Sequence, residues 1–425
     1  MFCSAAEIPL LIEKIYILVY IYDIRQMMAR VITYNKKFHR KASDLYKSPG
    51  CIIMKKYFAG GLVLGLLLTL TACSNTKAPN VSSTNGASDT IKESSTNEGS
   101  ELEQTIINLG HLNSTAHLLA FVAQEEGYFK EEGLTVTLTQ FSSAAELSSG
   151  LQSGKLDVAF IGSVPILTFQ SQGHDLTIFG GAMTNGHGYV IKPEFTKGVE
   201  EIDINILKGR NVASVKNSVQ DAELQILLKN AGIEIGEGSD KVNIVYFDSQ
   251  KDAYAALQND TIDAASVYSP YASLAKGQGY EVVYYCSEEE ALKNQPCCRQ
   301  VATTAALAEK PNTYTAFETA LIKAYKFSQE NEEKTIKDVK KYIDIDEDYI
   351  RTEVYGGYSY SSPDPDKQGT IQLKNTIVEL GYTNDYDIEK LYNTSIYKNA
   401  LESLIAANPD DAVYKELQAH FNEFE

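Results

Sequence analysis

The sequence predicts an α/β protein of two lobes, each a parallel-rich sheet flanked by helices, with crossovers of the chain between the lobes acting as hinges. Three observations carry that expectation. The segment LQSGKLDVAFIGS at 151–163 returns as LQNDTIDAASVYS at 257–269, an offset of 106 residues. Extended backwards, the echo pairs Phe141 with Phe247, Ser143 with Ser249 and Glu146 with Asp252, so a whole helix-and-strand unit is duplicated. Both copies alternate short apolar runs with helical stretches, as parallel sheets covered on two faces require. The stretch from 101 to 425 also exceeds the roughly 250–300 residues at which one core stops growing.

Each copy reads as strand, helix, strand, helix, strand. In the first, strands are expected at 105–110, 134–141 and 158–161, with helices at 115–125 and from Ser143 onward, where Glu146 completes a capping box. In the second, strands fall at 211–215, 242–247 and 264–267; a helix at 219–230 is closed by Gly232, and Ser249 with Asp252 opens another. Long helices follow at 313–330, 333–343, 366–380 and 410–421 with no counterpart in the repeat. They are expected to complete the first lobe and pack outside it. The first lobe would then comprise 105–187 and 299–425, and the second 188–298.

The N-terminal part reads as an export signal rather than a fold. Residues 54–72 hold a basic start, a short apolar run and the box Leu70-Thr71-Ala72 before Cys73, the pattern of a lipoprotein signal with Cys73 as the lipidated residue. Residues 1–53 lie upstream of that complete signal and are expected to be untranslated or disordered. Residues 73–104, rich in Ser, Thr and Asn, form a flexible tether. Removal of 1–72 leaves 28 Lys and Arg against 52 Asp and Glu, a net charge near −24. Such a body repels phosphate backbones, which excludes nucleic acid as a partner.

In an open parallel sheet, ligands bind beyond the carboxyl ends of the strands, where helices present free N–H groups. That rule selects the turn at 110–115 with His111 and Asn113, the turn Ser142-Ser143, the turn Asn217-Ser218, and the matched turns Gly162-Ser163 and Tyr268-Ser269. A hydroxyl before a helix is commonly only a cap, the favoured role for Ser143 and Ser249. Ser163 and Ser269 serve equally as caps or as ligand donors. The glycine-rich run 180–188 reads as a hinge, with His187 placed to meet a ligand. Arg299 offers bidentate recognition of a carboxylate, sulfonate or phosphate, or else a salt bridge. Beside it, adjacent Cys297 and Cys298 either close a strained ring, bind a soft cation or fill buried space. No resident metal or cofactor is expected. HExxH, GxSxG, Walker A and zinc-spaced CxxC pairs are all missing from the sequence.

The lipobox, the tether, GYFKEEGLTVTL at 127–138, SGKLDVAFIGSVP at 153–165 and DAYAALQNDTIDAASVYSPY at 252–271 together resemble the substrate-binding lipoproteins of ABC importers, in the nitrate, sulfonate, taurine and pyrimidine-precursor family. The resemblance implies a periplasmic-binding-protein-like (type II) fold. It also implies a lipid-anchored, extracytoplasmic, monomeric carrier that delivers a small solute to an ABC permease and its ATPase. It places Ser142, Ser143, Gly162, Ser163, His187 and Ser269 in the pocket. With Arg299 and the helix N-termini, it favours a sulfonate- or nitrate-like anion. A pyrimidine precursor or other heterocycle beside Tyr268 is the alternative ligand. An enzyme on the same fold, such as a pyrimidine synthase or dehydratase with His111 or His187 reacting, is the alternative from another class.

Overall fold

The computed structural model describes residues 101–200 and 202–425. The segment 1–53, the signal at 54–72, Cys73 and the tether as far as residue 100 lie outside the described residues. In chain order the described strands are β1 (Ile106–His111), β2 (Thr135–Gln140), β3 (Val158–Gly162), β4 (Thr177–Asn185), β5 (His187–Ile191), β6 (Asn211–Val215), β7 (Asn243–Phe247), β8 (Ala264–Tyr268), β9 (Glu281–Tyr285), β10 (Pro296–Ala302) and β11 (Ser359–Ser361). They form one sheet in the order β11-β4-β10-β3-β1-β2 and a second in the order β7-β6-β8-β5-β9.

The duplication is visible in both sheets. β3 and β8 keep the offset of the sequence echo, and so do the helices Ala144–Gln152 and Gln250–Gln258. The trio β2-β1-β3 is matched by β7-β6-β8, parallel in both cases. Beyond the trios the pairing turns antiparallel: β10 lies against β3 and β4, and β5 against β8 and β9. The sheets are therefore mixed, not parallel-rich. The strands responsible, β4, β5 and β10, carry the chain between the sheets and lie outside the repeated unit. β5 starts at His187 in the second sheet, and the whole of β10, with Cys297, Cys298 and Arg299, belongs to the first.

The glycine run at 180–188 also has a different purpose from the expected hinge. Gly180 and Gly181 sit inside β4. A Cβ on Gly181 would lie within 2.6 Å of the Ser362 carbonyl and closer still to that of Asp364, so the glycines admit close backbone approach. Only Asn185 and Gly186, with φ of 57° and 87°, make the turn out of the first sheet.

Burial explains the strand placement. In β3, Val158, Ala159, Phe160 and Ile161 are all fully buried, each of the larger side chains contributing about 1.5–3 kcal/mol. One face of the first sheet packs on Leu118–Glu125 and the long helix Pro311–Glu330 through Phe121, Phe179, Tyr314 and Phe317. The caps expected from the repeat are present: Ser143 Oγ accepts from the Glu146 amide at 3.3 Å and Ser249 Oγ from that of Asp252 at 3.1 Å. Ser249→Ala is expected to cost about 1 kcal/mol in urea unfolding, the worth of one N-cap.

The C-terminal helices do more than complete the first lobe. Ser395–Ala407 and Ala412–Phe424 pack outside it around Ile322, Tyr397, Leu401 and Phe421. Lys367–Glu379 instead sets Leu373 and Ile377 against Val164 and Leu167 of one lobe and Val219 and Ala222 of the other. Just after it, Tyr382 donates to Asp221 Oδ2 at 2.8 Å. The helix Glu347–Tyr355 reaches the second lobe too, with Glu353 Oε1 accepting from the Ser273 amide at 2.8 Å. Neither contact has a signature in the repeat.

Candidate functional site

A cavity of about 290 Å³ opens between the two sheets, at the carboxyl ends of their strands. The first lobe supplies Ser142 to Ala145 after β2, and Gly162 and Pro165 after β3, with Thr168 and Phe169 behind. From the second come Val215 to Gln220 after β6, Asp248 to Gln250 after β7, and Tyr268 at the end of β8. His117, His187, Cys297 and Cys298 close the remaining side. Four helices thus start at its wall. Their N-caps serve the third amide of the helix at Ser143, Ser218 and Ser249, while residues carrying earlier amides, Ala144, Ala145, Val219, Gln220 and Gln250, line the cavity. At Gly162, the fourth start, no side chain caps the helix Ser163–Ser171.

Of the expected ligand residues, Ser142, Ser143, Gly162, His187, Asn217, Ser218 and Tyr268 line this cavity together with Cys297 and Cys298. Five do not. His111 is the last residue of β1 and alternates away from Leu112, which does reach the cavity; its ring meets Phe121 edge-on at 5.0 Å and its Nδ1 donates to the Leu112 carbonyl at 2.9 Å. Burial pulls its pKa down to about 4, so it is neutral. Asn113 lies outside the lining. Ser163 is fully buried beside Gly162 with its hydroxyl unpartnered. Ser269, also fully buried, is turned to the first lobe: its carbonyl accepts from Ser114 Oγ at 2.9 Å and its hydroxyl pairs with Thr115 Oγ1. The matched serines 163 and 269 therefore do not face each other across the cavity.

Arg299 is the largest correction. Its guanidinium, 1% exposed, is committed to Asp366 Oδ2 at 3.2 Å, the Cys298 carbonyl at 2.9 Å and the Met183 carbonyl at 3.2 Å. It turns away from the cleft because β10 is irregular. The pairing of β10 with β4 shifts register between Pro296 and Cys298 and again between Cys298 and Arg299. Neighbours on a regular strand point to opposite faces, whereas here Cys297 and Cys298 both line the cavity.

His187 is the best-anchored polar group at the cleft. Burial works against its protonation, but the fully buried Glu223, with Oε2 2.9 Å from Nδ1, holds its pKa above the ordinary imidazole value. The two atoms are close but out of line for a hydrogen bond. On the other side, His187 Nε2 lies 3.2 Å from Cys297 Sγ, which lies 3.1 Å from Cys298 Sγ. The hydrogen bond from Cys297, aided by His117, draws the Cys298 thiol well below its usual range against the effect of burial. Burial pushes Cys297 up. His117, Lys216 and Glu223 were not selected from the sequence. Lys216 sits one residue before the chosen turn; His117 and Glu223 lie within segments read as plain helix, with no local signal to single them out.

Residues 100–343 match the profile of the NMT1-like family. A putative binding protein, YtlA, of Bacillus subtilis is 26% identical over 58% of this chain and 73% of its own length. A putative aliphatic sulfonates-binding protein of the same species is 30% identical over 40% of this chain, and the match spans 49% of that relative. Among solved structures, the periplasmic nitrate-binding protein NrtA from Synechocystis superposes with a TM-score of 0.62 at 16% identity, over 76% of this chain and 99% of its own. The fold is that of the periplasmic binding proteins.

Proposed function

Because the chain belongs to the NMT1-like family, we propose that it is the extracytoplasmic solute-binding component of an ABC importer, lipid-anchored through Cys73 and acting as a monomer. It captures a small anion of the sulfonate or nitrate kind between its lobes and hands it to a permease driven by an ATPase. The observation that carries this reading is the convergence of four helix starts, two from each lobe, on one cavity. Free first-turn amides favour negative charge, and an anion held from both sides favours the closed arrangement over the open one. Lys216 adds positive charge at the wall, and His187, whose protonation Glu223 favours, adds a ring nitrogen, in place of the role first given to Arg299. Ser142, Ser143, Gly162, Asn217, Ser218 and Tyr268 supply the rest of the contact surface.

Thermal-shift and calorimetric titration with taurine, alkanesulfonates, nitrate and pyrimidines tests the reading. One anion class is expected to stabilise the protein, by about 2.7 kcal/mol at a hundredfold excess over Kd. Lys216→Ala and His187→Ala are each expected to weaken that anion about tenfold or more, since a charge-assisted hydrogen bond is worth about 1.5–3 kcal/mol. Binding of a pyrimidine with no response to any anion would transfer the function to the heterocycle alternative. Recovery of the solute unchanged after long incubation is expected of a carrier, and its conversion would point to an enzyme.

A further inference from the structure

We propose that Cys297 and Cys298 form a redox-active vicinal dithiol in the cleft, which a hydroperoxide converts to a disulfide closed across a single peptide bond. The irregular register of β10 turns both side chains to the cavity, with their sulfurs 3.1 Å apart. A strand without that shift would separate them onto opposite faces. The pair is buried by its neighbours yet borders the cavity, so a small peroxide reaches it where a bulky oxidant does not. Cys286, the third free cysteine among the described residues, is buried and does not border the cavity. His187, 3.2 Å from Cys297 and paired on its far side with Glu223, stabilises negative charge on the sulfurs.

The chemistry balances with the groups present and one hydroperoxide. The Cys298 thiolate attacks the peroxide's outer oxygen, the O–O bond breaks, and the alkoxide leaves with the proton held by His187. Cys298 is then a sulfenic acid. The Cys297 sulfur attacks it, the S–O bond breaks, and hydroxide departs with the Cys297 proton as water. The two thiols are oxidised by two electrons and the peroxide is reduced to an alcohol and water. Adjacent Cα atoms lie about 3.8 Å apart, short of the roughly 4.4–6.8 Å of relaxed disulfides, so the ring is strained and readily reduced. The device is independent of which solute the cleft holds.

The test uses the full chain, reduced and then treated with one equivalent of hydrogen peroxide. Trypsin releases residues 294–299 as one peptide containing both cysteines, with Cys286 in another. The expected result is a 294–299 peptide lighter by two hydrogens and resistant to iodoacetamide, returned to two alkylated thiols by dithiothreitol. His187→Asn is expected to slow ring formation about tenfold or more, since the proton for the leaving alkoxide is lost with the imidazole, while a large excess of hydrogen peroxide still closes the ring in the folded variant. Two alkylated cysteines after peroxide, or oxygen added to each sulfur without a ring, would overturn the proposal. An unchanged rate in His187→Asn would equally remove His187 from it.

Discussion

Arg299→Ala is expected to lower the unfolding free energy by about 3 kcal/mol, because it leaves the partly buried Asp366 carboxylate and two buried carbonyls without their partner. The guanidinium is 1% exposed and touches three elements at once: β10 through Cys298, β4 through Met183, and the start of the helix Lys367–Glu379 through Asp366. Asp366 is itself the cap of that helix, accepting from the Gly369 amide at 3.0 Å. Losing the arginine therefore loosens the helix that touches both lobes. Urea unfolding measures the loss. The double variant Arg299→Met/Asp366→Leu is expected to recover part of it, since removing both charges spares the cost of an unpaired one. An unchanged midpoint in Arg299→Ala would return the residue to a surface role.

The stability of the protein is expected to fall by about 3 kcal/mol through His111 alone as pH drops from above 6.5 towards about 4. Burial depresses the folded-state pKa, so above the unfolded value neither state takes the proton and the full stability is present. Between the two values the unfolded chain binds a proton that the folded protein refuses, and stability declines as pH falls. Below about 4 both states are protonated and this contribution stops changing. Buried Glu318 and Glu353, whose pKa values burial raises, act with the opposite sign. The measurement is consequently a difference: urea unfolding of the native protein and of His111→Leu across pH 4.5 to 7.5, with the slope reduced in the variant. Equal slopes would show that the ring finds water or a partner when charged.

Both predictions concern residues that sequence reasoning had placed at the ligand, and the reasons they moved are instructive. The repeated strands and caps were legible because a period-2 apolar run, a hydroxyl and an acidic residue three positions later are local signals. Residues at the ends of repeated strands, such as Ser142, Gly162, Asn217 and Tyr268, accordingly line the cavity. His111 failed by one position: β1 runs a residue further than expected, and alternation turns the ring into the core. Arg299 failed because a register shift in an unrepeated strand cannot be read from the residues on that strand; it depends on the pairing with β4. Glu223 is silent for a related reason. In the middle of a helix it reads as a solvated charge, and only the arrival of His187 from a distant strand makes its burial tolerable.

The exchange of β5 and β10 between the halves of the chain sets an order in time. β10 lies between β3 and β4, so the first sheet stays split until residue 302 has been added to the chain. The second sheet has all of its strands once residue 285 is present. During synthesis the inserted lobe can therefore close on itself first, while two unjoined parts of the other wait with an open gap for the returning strand. Pairings between partners so far apart in sequence are slow to form, and exposed strand edges invite wrong partners meanwhile. Destabilising changes in β10 are thus expected to slow the last step of folding more than the same changes in β8.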